Sequence, residues 1–121
     1  MPKKILIIDD DPVVLKYLDN LFADNGYETF TAANGREGKA KVDQCRPDLI
    51  TLDLQMPEQW GPRFYRELTK TKAYRDIPII VISGLSSSKY SLPKAVGYLS
   101  KPFEAEELLC LVRDTIGAAD A

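Results

Sequence analysis

Three apolar runs in this sequence end in residues that can do chemistry, and a fourth leads into one. Asp9-Asp10-Asp11 follows Lys4-Ile-Leu-Ile-Ile8, Asp53 closes Asp48-Leu-Ile-Thr-Leu, and Ser83 closes Ile77-Pro-Ile-Ile-Val-Ile. Val96 to Ser100 runs into Lys101. Carboxylates gathered at close range repel, and one of their pKa values rises unless a cation intervenes. Oxygen ligands without His or Cys favour Mg²⁺, which takes one or two carboxylates, keeps several waters and joins a phosphate. A carboxylate beside that ion can attack phosphorus and become an aspartyl phosphate. A hydroxyl such as that of Ser83 can donate to a phosphoryl oxygen, and the Lys101 ammonium can neutralise the added charge. Taken singly, each residue also has a plain structural role. Asp9 to Asp11 can be a turn and helix cap, Asp53 a loop cap, Ser83 the partner of a backbone group, and Lys101 a solvated charge.

The chemistry requires that the runs be neighbouring strands pointing the same way. Their apolar residues are continuous rather than alternating, which predicts burial on both faces and therefore a parallel sheet. Between them lie helical stretches. Asp11-Pro12 supplies a cap and a first turn, Val14, Leu18, Leu21 and Phe22 follow at helical spacing, and Gly26 stops the helix. Tyr27 to Ala32 reads as a second strand and Asn34-Gly35 as a turn, and Arg36 to Cys45 as a weaker, polar helix. Leu54 to Gly61 reads as a loop and Pro62 to Thr71 as a helix with Phe64, Tyr65 and Leu68 inward. Glu104 to Ile116 closes the chain as a helix with Leu108, Leu109, Val112 and Ile116 inward. Strand–helix alternation with right-handed crossovers predicts a doubly wound α/β fold of five parallel strands with helices on both faces. In such folds ligands bind beyond the carboxyl ends of the strands. All the polar residues named above fall on that edge.

Composition removes competing chemistries. The chain has 121 residues, 45% apolar and 28% charged, which suits one globular domain spanning residues 1–121. A net charge of −2 with scattered Lys and Arg argues against a nucleic-acid or anionic-membrane surface. There is no histidine, hence no Ser-His-Asp or Cys-His machinery and no His-ligated zinc or haem. Cys45 and Cys110 make neither a zinc site nor a disulfide framework, and both are expected to be reduced packing residues. No secretory signal precedes Ile5, and a cytoplasmic location is expected. Neither G-x-G-x-x-G nor G-x-x-x-x-G-K-[ST] occurs.

The ordered set of motifs resembles the two-component response regulator receiver domain, of the single-domain, chemotaxis-regulator-like kind. Its carriers are Ile5-Leu-Ile-Ile-Asp9-Asp10-Asp11-Pro, Leu52-Asp53-Leu-Gln-Met56-Pro57 followed by Gly61, Ile80-Val-Ile-Ser83-Gly, and Tyr98-Leu-Ser-Lys101-Pro102-Phe103. The resemblance implies the flavodoxin-like strand order 2-1-3-4-5. It makes Asp53 the phosphorylated aspartate, with Asp9, Asp10, Asp53 and the backbone carbonyl of Gln55 around Mg²⁺. It makes Ser83 the switch hydroxyl, Tyr98 the aromatic that rotates inward behind it, and Lys101 the lysine on the phosphate. The Lys101–Pro102 bond is then cis. The implied phosphodonor is a sensor histidine kinase or a histidine phosphotransfer protein. An output protein, and a phosphorylation-dependent homodimer, would use the chain's surface.

Two features depart from that pattern or add to it. The stretch from Ser83 to Lys101 is about one helical turn short, and Gly84 to Ala95 within it carries Pro93 and four serines, which predicts a stunted or irregular helix there. Trp60 is a large aromatic in a polar loop, either an anchor for a partner or a lid on its own loop. Two other functions are consistent with part of the pattern. Asp9 and Asp11 fit the nucleophile motif of haloacid-dehalogenase-like phosphatases, although the late acidic pair of that family is missing and Asp53 would lack a role. A phosphorylation-silent interaction domain would keep only the fold.

Overall fold

The apolar runs form strands and the amphipathic stretches form helices in a computed structural model that describes residues 2–54, 60–84 and 95–118, with residues 60–62 and Ser83 described through their backbone alone. In chain order the elements are β1 (Lys4–Ile8), α1 (Pro12–Asp24), β2 (Glu28–Ala32), α2 (Gly35–Cys45) and β3 (Leu49–Leu52). They continue with α3 (Trp60–Lys70), β4 (Ile79–Ser83), β5 (Ala95–Ser100) and α4 (Ala105–Ile116). The five strands are all parallel and lie in the order β2-β1-β3-β4-β5, as the alternation and the resemblance imply. The expected irregular helix between β4 and β5 falls on residues 85–94, outside the described residues.

Local chemistry explains the helix boundaries. The Asp11 side chain accepts from Val13 N at 2.9 Å, and Pro12 occupies the first turn, where its missing N–H costs nothing. Past the end of α1, Gly26 takes φ 91°, a conformation open to residues without a Cβ. At α2 the Asn34 side chain accepts from Glu37 N at 2.9 Å, while the Glu37 carboxylate accepts from Ala33 N at 2.8 Å. This reciprocal cap starts a helix that is otherwise polar. Helix α3 begins at Trp60, which corrects the sequence reading of a loop through Gly61: Trp60 and Gly61 belong to the first turn of the helix. Neither reading of the Trp60 side chain is reached by the described atoms.

Alternate strand residues feed two apolar layers. Leu6, Ile8, Ile50, Leu52 and Val81 face α2 and α3, meeting Val42, Phe64 and Leu68. Ile5, Ile7, Leu49, Ile80 and Ile82 face α1 and α4, meeting Leu18, Phe22, Leu108 and Val112. Burial on both faces holds for the apolar residues of β1, β3 and β4. It fails at the sheet edges, where β2 and β5 are largely half-buried or exposed, because an edge strand has a neighbour on one side only. Cys45 is buried as expected, but Cys110 is exposed on α4 and is not a packing residue.

Candidate functional site

Main-chain pairing delivers the carboxylates to one edge. Ile8 pairs with Leu52, so β1 and β3 end level and their next residues, Asp9 and Asp53, emerge side by side. The ladder continues one step beyond the strands: Asp53 N donates to Ile8 O at 3.0 Å and Asp9 N to Ala32 O at 3.1 Å. Asp9 and Asp53 are buried, at 2% and 3% exposed, and Asp10 beside them is exposed. Carboxylate oxygens of Asp9, Asp10 and Asp53 lie within 4.8 Å of one another.

Lys101 reaches the cluster from the end of β5. Its Nζ donates to Asp9 Oδ2 at 2.8 Å and lies 3.5 Å from Asp53 Oδ2. The other Asp9 oxygen accepts from Asp11 N at 2.9 Å. Burial disfavours the ammonium, but its hydrogen bond to Asp9 and the charges of Asp53 and Asp9 outweigh it, and the Lys101 pKa is raised. The ammonium is therefore permanently charged near neutral pH and offsets part of the repulsion between the aspartates. The Lys101–Pro102 peptide is cis, as the resemblance implies.

Of the residues singled out in the sequence, Asp9, Asp10, Asp53 and Lys101 come together. The backbone of Ser83 ends β4 in register with Ser100, next to Lys101, although its side chain lies outside the description. Tyr98 stands on β5 in register with Val81 and is 38% exposed, facing outward. Gln55 falls outside the described residues. Asp11 is the cap of α1, which gives this aspartate a structural role. Hard oxygen donors with no nitrogen or sulfur among them suit Mg²⁺ rather than zinc.

One buried polar side chain was not singled out beforehand. Thr51 pairs with Ile7 and Ile80 and is 1% exposed, and its Oγ1 has no hydrogen-bond partner among the described residues. It lies on the same sheet face as Asp53, two residues on. A lone hydroxyl within an apolar strand was the available signal.

Comparison with known proteins agrees with the geometry. Residues 5–113 match the family model described as the response regulator receiver domain. Protein Rrf1 of Nitratidesulfovibrio vulgaris is 36% identical over 112 residues, covering 93% of this chain and 81% of that protein. The chemotaxis protein CheY4 of Vibrio cholerae superposes with a TM-score of 0.87 at 33% identity, covering 95% of this chain and 99% of that one. The receiver domain of the sensor histidine kinase PA1611 of Pseudomonas aeruginosa, whose structure has a magnesium ion coordinated in its active-site cleft, gives a TM-score of 0.86 at 26% identity. That match covers 98% of this chain and all of the other. The chain spans about half the length of several other curated relatives.

Proposed function

Starting from the fact that this chain belongs to the response regulator receiver domain family, we propose that it takes a phosphoryl group onto Asp53 and relays the change to a partner protein. The observation that carries this reading is the position of Lys101 Nζ, 2.8 Å from Asp9 and 3.5 Å from Asp53. A cation held there serves the carboxylates before transfer and is placed for a phosphoryl oxygen after it.

In the transfer, an Asp53 carboxylate oxygen attacks phosphorus. A new O–P bond forms as the bond from phosphorus to the donor atom breaks, and the donor keeps the electron pair. These 121 residues hold no histidine, so a phosphohistidine donor lies outside them, on a sensor histidine kinase or a histidine phosphotransfer protein, or a small acyl phosphate replaces it. Asp9, Asp10, Asp53 and the backbone carbonyl of Gln55 would hold Mg²⁺, which supplies positive charge for the phosphoryl oxygens when bound. Lys101 moves its hydrogen bond from a carboxylate to the phosphoryl group. The Ser83 hydroxyl donates to another phosphoryl oxygen, and Tyr98 turns inward from its present exposed position behind it.

On this reading residues 1–121 act as one receiver unit in the cytoplasm. Catalysis goes no further than accepting the phosphoryl group and slowly losing it to water. The output is a surface contact with another protein or with a second copy of the chain. Asp11, the second aspartate of a phosphatase motif, is engaged as a helix cap, which favours the receiver over that alternative.

The experiment is incubation with Mg²⁺ and acetyl phosphate, followed by mapping of the modified residue by mass spectrometry. Modification at Asp53 that disappears in Asp53→Asn is the expected result. Modification at Asp9 would point to the phosphatase chemistry, and none at either site to a silent interaction domain.

A further inference from the structure

Helix α2 turns four residues inward, Gly35, Gly38, Val42 and Cys45, and two of them have no side chain to fill space. At Gly38 the helix lies tight on the sheet, since a Cβ built there would stand 2.8 Å from Ile8 Cδ1 and 3.1 Å from Phe64 Cε1. Towards the C-terminal halves of α2 and α3 the two helices leave a cavity of about 280 Å³. Val42, Phe64 and Leu68, all buried, and half-buried Tyr74 make its apolar walls. The exposed Lys39, Asp43 and Glu67 also line it, and these charged residues stand at its mouth.

We propose that this cavity is a binding site for a small aromatic monocation, separate from the acidic edge. Volume decides the apolar part, because an apolar cavity of about 150 Å³ already accepts benzene. The space between α2 and α3 therefore admits a phenyl ring with a short side arm. Charge decides the polar part. Asp43, Glu67 and Lys39 are the charged lining residues, and neither Glu67 nor Lys39 has an ion-pair partner among the described residues. Asp43 is held in place by the Tyr74 hydroxyl, which donates to its Oδ1 at 2.5 Å. Arg46 lies over the Tyr74 ring at 5.9 Å, on the Asp43 side, so Glu67 is the carboxylate that an amine on the ring's side arm meets, and a carboxylate placed there is repelled.

Three probes of one shape test this: phenethylamine, 2-phenylethanol and phenylacetate, titrated into the full chain while the methyl resonances of Val42 and Leu68 are followed by NMR. Phenethylamine is expected to give saturable shifts with Kd about 1 mM, a strength suited to a ligand of this size. The alcohol is expected to bind about 3-fold more weakly, the advantage of one exposed ion pair, and the acid more weakly still. Glu67→Gln, an exposed substitution that leaves the core untouched, brings the amine to the level of the alcohol. Ala73→Phe, at an exposed lining position, abolishes the shifts for all three probes. Absence of saturable shifts in the wild type, equal binding of all three probes, or an amine preference that survives Glu67→Gln overturns the proposal.

Discussion

The two faces of the sheet are built from the same strands yet are closed to different degrees. On the α1/α4 face, Phe22 meets Tyr27 edge-on with ring centroids 6.3 Å apart. A Cβ on Gly97 would stand only 2.4 Å from Leu111 Cδ2, so α4 rests against the backbone of β5. On the α2/α3 face, α2 is equally tight at Gly38, and the cavity opens farther along, where Val42 is the one apolar side chain that α2 contributes to its lining. The comparison teaches that apolar strands are not sufficient for a filled core. The volume of the covering helix decides whether a layer closes.

The largest test of that contrast truncates one phenylalanine in each layer. Phe22 and Phe64 are 0% and 2% exposed, so burial alone predicts equal losses. Because Phe64 already borders empty space, Phe64→Ala should cost about 3 kcal/mol and Phe22→Ala about 4 kcal/mol in urea unfolding. A larger loss for Phe64→Ala would break the comparison. Adding volume should reverse the sign between layers. Val112→Leu forces a methylene into the closed face and should lower stability by about 1–2 kcal/mol. Val42→Leu puts the same group into the cavity and should raise it by about 0.8 kcal/mol. Thr51→Val removes a hydroxyl that has no partner among the described residues from the closed face at nearly constant volume and should stabilise by about 1 kcal/mol. A loss there would show that Oγ1 has a partner in solution.

The smallest effect concerns the edge that both layers share. The pKa of Lys101 is raised in the fold, so its contribution is fully present below the ordinary lysine value of about 10.4 and is lost as pH climbs beyond it. Urea midpoints for wild type and Lys101→Met should keep a constant difference from pH 7 to about 10 and converge above that. Tyr27, raised by burial, and Tyr74, raised by its bond to Asp43, weaken both proteins alike in that range and cancel in the difference.

The strand order came from the family resemblance, whereas the parallel sheet, the cap at Asp11-Pro12, the stop at Gly26 and the shared edge of β1 and β3 were legible in the sequence because each rests on neighbouring residues or on continuous apolar runs. Asp9, Asp10 and Asp53 were legible as a cluster for the same reason. What was not legible depends on pairs distant along the chain. Cys110 has apolar neighbours in sequence yet lies on the outer side of α4. Exposure of β2 and β5 follows from their place at the sheet edges, and their composition does not reveal it. The bridge from Lys101 to Asp9 spans 92 residues, and the void beside Phe64 lies between side chains of α2, α3 and the turn after α3.

The ladder bonds at Asp9 N and Asp53 N carry a mechanical consequence. Both aspartates hang from main chain that is hydrogen-bonded into the sheet, so their freedom is confined to side-chain torsions. Lys101 instead approaches on a longer, partly exposed side chain at the end of an edge strand. The aspartates are thus fixed posts at this edge, and the lysine is the part with room to move. It hangs directly from the end of β5, the strand that carries Tyr98 and the glycine against which α4 rests.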